Sequence, residues 1–509
     1  MNTNRIRSIV IAGGGTAGWM TAASLAHHFV NQDVTITLIE SSDIGTVGVG
    51  EATIPSIRRF YRELGLNDQD VMRFTGATAK LAIKFTDWYQ QGSSFYHPFG
   101  IYGQQVRNTH FVHYWRKLYE SGDAADIGDY SLAVTLAKNH KFTEPFSPPP
   151  NELATYDWAL HFDASKFAEL MAQFATNRGV KVIDAKIDKV NLRDSDGFIQ
   201  SLQLDNGALV EGELFIDCTG FRGVLIEQAL NTGYEDWQQW LKCDRAVAIQ
   251  SDFRGAPAPY TESIAHRAGW QWRVPLQHRQ GNGHVYSSAH ISEDEATATL
   301  LDNINGKALN NPRSFRFTPG RRKQAWNKNC IAVGLASGFL EPLESTSIAL
   351  VETAIDKIKL LMPNADFNPA LRDEFNDMTR LEYERVRDFI ILHYKLNQRS
   401  DSKFWIDCRE MDIPQTLQHK IDLFKARGHF VKYRWEIFQP ASWLSIFSGN
   451  QLLPDTYDPM VDNFDMDYLK RSFAQMQQSL QGAMQNATSH EQYIAQHCAI
   501  NPTKTSKAL

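Results

Sequence analysis

The sequence predicts an α/β fold built on a Rossmann-type βαβ unit, with an inserted β-meander, a second sheet and a mostly helical C-terminal region. Three observations predict it. An apolar β-branched run, Ile9, Val10, Ile11 and Ala12, passes directly into G-x-G-x-x-G at Gly13, Gly15 and Gly18. An Ala-rich amphipathic stretch over 20–29 follows, and the next apolar run, over 34–39, ends on an acid, Glu40. Alternating segments over 181–188, 198–204 and 209–216, punctuated by Asp196-Gly197 and Asn206-Gly207, supply the meander.

The glycines have a chemical reason. Gly13 permits the tight turn, Gly15 lets backbone N–H groups approach a pyrophosphate, and Gly18 lets the helix lie close to the strand. Thr16 and Ala17 open that helix, whose N-terminal amides hold phosphates. Glu40 is placed to accept hydrogen bonds from a ribose 2′-hydroxyl, which favours FAD or NAD over NADP. A second glycine-rich loop over 45–55 brings small residues, Gly50 and Ala52 among them, to where backbone could lie against a flavin. Asp217, closing the strand after the meander, and Gly334 and Leu335, where the chain returns to the first sheet over 330–338, complete the expected cofactor set.

Composition bounds the rest. With 509 residues and 43% hydrophobic side chains the chain can fill a large core and more than one domain. A net charge of −6 without basic blocks argues against nucleic acid or a membrane surface as partner. No apolar run reaches the roughly 18 residues that span a bilayer, and the first strand follows Arg7 without an apolar leader, so a cytoplasmic protein is expected. The five cysteines, 218, 243, 330, 408 and 498, are scattered and odd in number, which fits a reducing compartment and gives no metal-ligand spacing.

In chain order, helices are expected over 57–64 and 71–79, followed by a half-buried strand on the alternation of Leu81, Ile83 and Phe85. The aromatic, proline-containing segment 92–150 reads as an irregular cover. Asp163 is a fitting N-cap for a helix over 164–176, with His161 before it a packing residue. Strands over 246–253 and 285–290 point to the second sheet. Helical patterns run over 347–361, 370–396 and most of 415–497, so residues 1–360 read as a nucleotide-binding core and 361–509 as a helical region over the substrate side. The polar tail 499–509 is expected to fray.

Three further stretches carry a resemblance. Trp270, Trp272 and Pro275 form W-x-W-x-V-P, which resembles the W-x-W-x-I-P signature of flavin-dependent halogenases. The segment opening with Lys80 is similar to the one bearing that family's catalytic lysine. Pro342-Leu343-Glu344-Ser345-Thr346-Ser347-Ile348 resembles the family's P-L-E-S-T-G-I, with Ser347 in place of glycine. With the N-terminal fingerprint, and with 388–394 and 401–405, the chain is identified as a member of the tryptophan halogenase-like group, with a flavin monooxygenase-like core.

The resemblance implies that reduced FAD, delivered by a separate flavin reductase, and O₂ oxidise chloride or bromide to hypohalous acid. Lys80 would then present the electrophilic halogen to a small aromatic ring. Glu344 would position the electrophile or take the ring proton, and the amides of Thr346 and Ser347 would hold halide. A serine there requires ordinary dihedrals where glycine has none to respect. Trp270 and Trp272 would separate substrate from flavin. His97 and Phe99 match the stacking pair of tryptophan-using members, while Phe438 and Ser442 stand where those members carry Trp and Asn. With Trp443 they keep aromatic walls but lose the polar clamp, so a free electron-rich ring such as indole is the expected substrate. No nucleic acid, membrane or metal is implied. An aromatic hydroxylase, a flavin-binding protein without catalysis, and a homodimer all stay open from these residues.

Overall fold

The computed structural model describes residues 4–43, 50–253 and 255–500. Residues 45–49 of the second glycine-rich loop and 501–509 of the tail lie outside them. The first sheet has six strands in the order Trp326–Asn327, Cys330–Ala332, Leu214–Asp217, Ser8–Ala12, Thr35–Glu40 and Lys181–Asp184. All neighbours but the first pair run parallel, and Ala12 aligns with both Ile39 and Asp217. The C-terminal ends of the central strands therefore share one edge, where ligands bind in open α/β sheets. Helix Thr16–His28 packs on this sheet and against helices Ala164–Thr176 and Ser347–Leu360.

The meander differs from its expected bounds. Residues 181–188 divide into Lys181–Asp184, which joins the first sheet, and Ile187–Leu192, which pairs with Ile199–Leu204 and so begins the meander. The stretch 209–216 divides likewise into Leu209–Glu211 and Leu214–Asp217. Gly212 marks the second break because a Cβ there would lie 2.7 Å from Val10 Cγ2. The helix expected over 71–79 ends at Thr75 on Gly76, in the left-handed region at φ +64, and Thr78–Lys80 becomes a strand against Ala159–Asp163.

The segment 92–150 is not irregular. It holds strand Ser94–Pro98 and helices Phe111–Glu120 and Leu132–Lys138. Phe111, Tyr114, Trp115 and Leu118 fall at helical spacing and are buried together; the bulky aromatics mask that period. Asp163 caps helix Ala164–Thr176, accepting from the amides of Ser165 and Lys166. His161 is wholly buried, with Thr78 Oγ1 and Thr261 Oγ1 on its two nitrogens.

A seven-stranded second sheet follows the order Arg313–Arg316, Arg245–Ser251, Gln280–Tyr286, Gly269–Pro275, Tyr260–His266, Ala82–Thr86, Ser94–Pro98. The strand expected over 285–290 instead starts earlier, at Gln280, and ends at Tyr286. The C-terminal helices include Pro369–Lys395, Gln415–Arg427, Pro440–Gly449 and Met466–Asn486. Among the described residues no helix is long and apolar enough to cross a membrane. Two large cores result, one under the first sheet and one joining the second sheet to these helices.

Candidate active site

The nucleotide end is formed by local sequence. Gly13 sits at φ +108, where a Cβ would lie 2.3 Å from Cys218 O, and a Cβ on Gly18 would lie 1.9 Å from Gly13 O. Gly15 is the contrast: a Cβ there meets nothing within 4 Å. Gly15 also leaves helix Thr16–His28 without a side-chain cap, so its first amides face open space. Gly334, at φ +67, would place a Cβ 2.8 Å from that of Ala17, which draws the returning strand onto the helix start, with Leu335 beside it partly exposed. Glu40 Oε2 accepts from Trp19 Nε1 at 3.1 Å and lies against Gly14. This cradle fits the pyrophosphate and ribose of FAD.

One cofactor expectation changes. Asp217 is wholly buried, and its carboxylate accepts from Thr219 N and Oγ1, Leu225 N and Ile226 N. Those four bonds fill its acceptor capacity, so its side chain holds the loop and not a nucleotide. Gly50 and Ala52 lie on the short strand Gly50–Ala52, where Gly50 meets Val274 and Gly281 of the second sheet.

Lys80 ends strand Thr78–Lys80 with no exposed surface. Its Nζ donates to Thr53 O at 2.9 Å and to Ser345 Oγ at 2.8 Å, and lies 5.0 Å from the centroid of the Phe99 ring. Burial pushes the ammonium down to about 7, against an opposing pull from the Glu344 carboxylate. Thr53 and Ser345 carried no signal of this role in the sequence. Ser345 adopts φ +58, a left-handed conformation that costs a serine strain and aims its hydroxyl at Lys80.

Glu344 is 1% exposed, with Oε2 2.8 Å from His97 Nδ1 and Oε1 2.7 Å from His393 Nε2. Burial alone would raise its pKa, but the two histidines outweigh burial and hold the carboxyl at about 2. Thr346 caps helix Ser347–Leu360 without a side-chain hydrogen bond, and Ser347 enters as its first residue. The serine is therefore tolerated, because the left-handed residue of this segment is Ser345 and not Ser347.

Aromatic rings pack beside these groups. Phe438 stacks on Phe389 at 3.8 Å, Trp443 meets Phe389 edge-on at 4.9 Å, and His97 lies 5.8 Å from Phe389 and 6.4 Å from Phe99. Phe389 and His393 are missed by the sequence reading. They sit four apart on the buried face of helix Pro369–Lys395, where a histidine among Val386, Phe389 and Ile390 was the available clue. Trp270 Nε1 donates to Glu341 Oε2 at 2.7 Å, as does Tyr394 OH at 2.6 Å, which fixes the first tryptophan of W-x-W. Burial raises Glu341 to about 7 despite those bonds.

Comparisons with known proteins bear on the family. The family model for tryptophan halogenase matches residues 8–466. The chain is 34% identical to tryptophan 6-halogenase SttH from Streptomyces toxytricini, covering 97% of this chain and 99% of that protein. It is 33% identical to tryptophan 7-halogenase RebH from Lentzea aerocolonigenes, over 90% and 92%. Among solved structures, the flavin-dependent halogenase BrvH from Brevundimonas sp. BAL3 superposes with a TM-score of 0.95 at 55% identity, covering 97% of this chain and 99% of that one. Xcc4156, a flavin-dependent halogenase from Xanthomonas campestris, gives 0.94 at 40% identity over 98% and 99%. With the nucleotide cradle, the buried lysine and these matches over nearly its whole length, the chain belongs to the tryptophan halogenase family of flavin-dependent halogenases.

Proposed function

We propose that this protein halogenates a free electron-rich aromatic ring, with Lys80 presenting halogen from hypohalous acid. Bound as reduced FAD in the Gly13–Gly18 cradle, the cofactor supplies with O₂ the oxidation of chloride or bromide. The observation that carries the reading is the buried Lys80 amine, held by Thr53 and Ser345 beside the Phe99 ring. An amine held at about 7 in a dry site can bond hypohalous acid without the hydration shell of a surface lysine. The uncapped start of helix Ser347–Leu360 supports a halide at the Thr346 and Ser347 amides, since its dipole favours an anion. Residues 1–360 then form the FAD-binding core and 361–509 cover the substrate, which Phe389, His393, Phe438 and Trp443 support. The buried free cysteines support a cytoplasmic location. Incubation with FAD, a flavin reductase, NADH, O₂ and bromide or chloride against an aromatic panel, read by mass spectrometry, tests the reading. A halide-dependent mass gain supports it, and a gain of oxygen alone indicates a hydroxylase.

The flavin should depend on a separate reductase. Only one dinucleotide fingerprint is visible, so NADH or NADPH alone should leave bound FAD oxidised. Rapid bleaching without a reductase would favour the hydroxylase.

Indole should be used with a higher kcat/KM than tryptophan. The ring walls are Phe389, Phe438 and Trp443, and the nearby Lys420 is already paired to Glu436 at 2.7 Å and to Val431 O. An amino acid's buried charges would go without partners, a cost of several kcal/mol. A preference for tryptophan would overturn this and point to Arg385, whose Nε and Nη1 have no hydrogen bond, as a partner for the carboxylate.

A further inference from the structure

We propose that His97 is the base that removes the ring proton, and that Glu344 acts through it as a positioning residue; this rests on the halogenase reading. His393 Nδ1 lies 2.8 Å from the Phe389 carbonyl, which can only accept, so Nδ1 carries hydrogen. Its Nε2 lies 2.7 Å from Glu344 Oε1, a pairing that requires one further proton between them. The other carboxylate oxygen then accepts from Nδ1–H of His97 at 2.8 Å. With Nδ1 turned to the carboxylate, Nε2 is the nitrogen of His97 left to take a proton.

Among the described residues no hydrogen bond fills that Nε2, nor does it count among the fully enclosed, unpartnered side-chain atoms. His97 therefore has one nitrogen anchored and one free, the arrangement of a general base oriented by a carboxylate. Its ring stands edge-on to Phe99, the same ring that Lys80 Nζ approaches. Lys80 and His97 therefore both border Phe99, which brings the halogen donor and the base to one ring.

The step balances without another reactant. Once the ring carbon has bonded halogen, its C–H bond breaks, that electron pair restores aromaticity, and the proton passes to His97 Nε2. The resulting imidazolium is stabilised by the Glu344 carboxylate until the proton leaves to solvent.

The test uses the full chain with FAD, reductase and bromide, and compares single-turnover bromination of indole and perdeuterated indole. His97→Asn keeps a donor toward Glu344 but has no basic nitrogen, and His97→Phe keeps a stacking ring. Both should lose about 10²–10⁴-fold in rate and show a primary isotope effect that wild type lacks. Hypobromous acid, trapped by a free β-diketone, should form as in wild type, and added imidazole should partly restore His97→Asn. A variant that brominates near the wild-type rate, slows equally for both isotopologues, or stops making hypobromous acid overturns the assignment of His97 alone. Failure of wild type to brominate any ring overturns the halogenase reading and His97 with it.

Discussion

Replacing Lys80 by methionine is expected to abolish halogenated product while making the protein more stable at pH 7. Methionine fills nearly the same volume without a charge. Burial holds the Lys80 ammonium at about 7 against its ordinary 10.5, and each pH unit between those values corresponds to about 1.4 kcal/mol. The unfolded chain thus binds a proton that the folded chain gives up between those pH values. The resulting penalty on folding is full below about pH 7 and fades as pH rises toward 10.5. Losing the bonds to Thr53 and Ser345 costs about 1 kcal/mol each, so the variant should gain about 1–3 kcal/mol at pH 7. Urea unfolding at pH 7 and near 10 checks this, since the advantage must shrink at the higher pH. FAD binding should survive, because Lys80 lies outside the 13–18 cradle. A variant that still halogenates near the wild-type rate would remove Lys80 from the reaction.

Glu344→Gln should fail differently, losing both activity and stability. The amide can offer an oxygen to one histidine, but it turns an N–H donor toward the other. Halogenation should fall about 10²–10⁴-fold, the usual contribution of a positioned proton-transfer group. Because the folded carboxyl is held at about 2 against 4.5, its pairing contributes stability that is complete above about pH 4.5. That contribution is lost as pH falls through 2. The variant should be less stable than wild type by about 3 kcal/mol at pH 7, with the gap narrowing at pH 3. Unaltered turnover would leave Glu344 with a structural role only. The two substitutions thus move stability in opposite directions from the same site, because one buried charge is opposed mainly by desolvation while the other is paired by two histidines.

The nucleotide cradle was legible because it is local. Gly13, Gly15 and Gly18 are read by the strand and helix on either side of them, and Thr16–His28 begins where the glycines end. Lys80 and Glu344 were singled out only through resemblance; as residues they are a lysine at a strand end and an acid before a helix. The misread segments failed for definite reasons. Aromatic side chains hid the helical period of Phe111–Glu120, and Gly76 ended a helix that propensity carried on to Ala79. Asp217 sits at the right edge of the right sheet, but its four acceptor positions are taken by local donors that no spacing rule displays.

By itself the sequence determined the βαβ unit, its phosphate-binding turn, the inserted second sheet and the helical C-terminal region, since each depends on hydrophobic period, glycine placement and caps within a few residues. Only the tertiary structure decided the chemistry of the site. His97, Glu344 and His393 come from a sheet edge, a short turn and a long helix, and Lys80 finds Thr53 and Ser345 on two other segments. Protonation at the site follows from burial and from which donor faces which acceptor. Both arise when distant segments pack together.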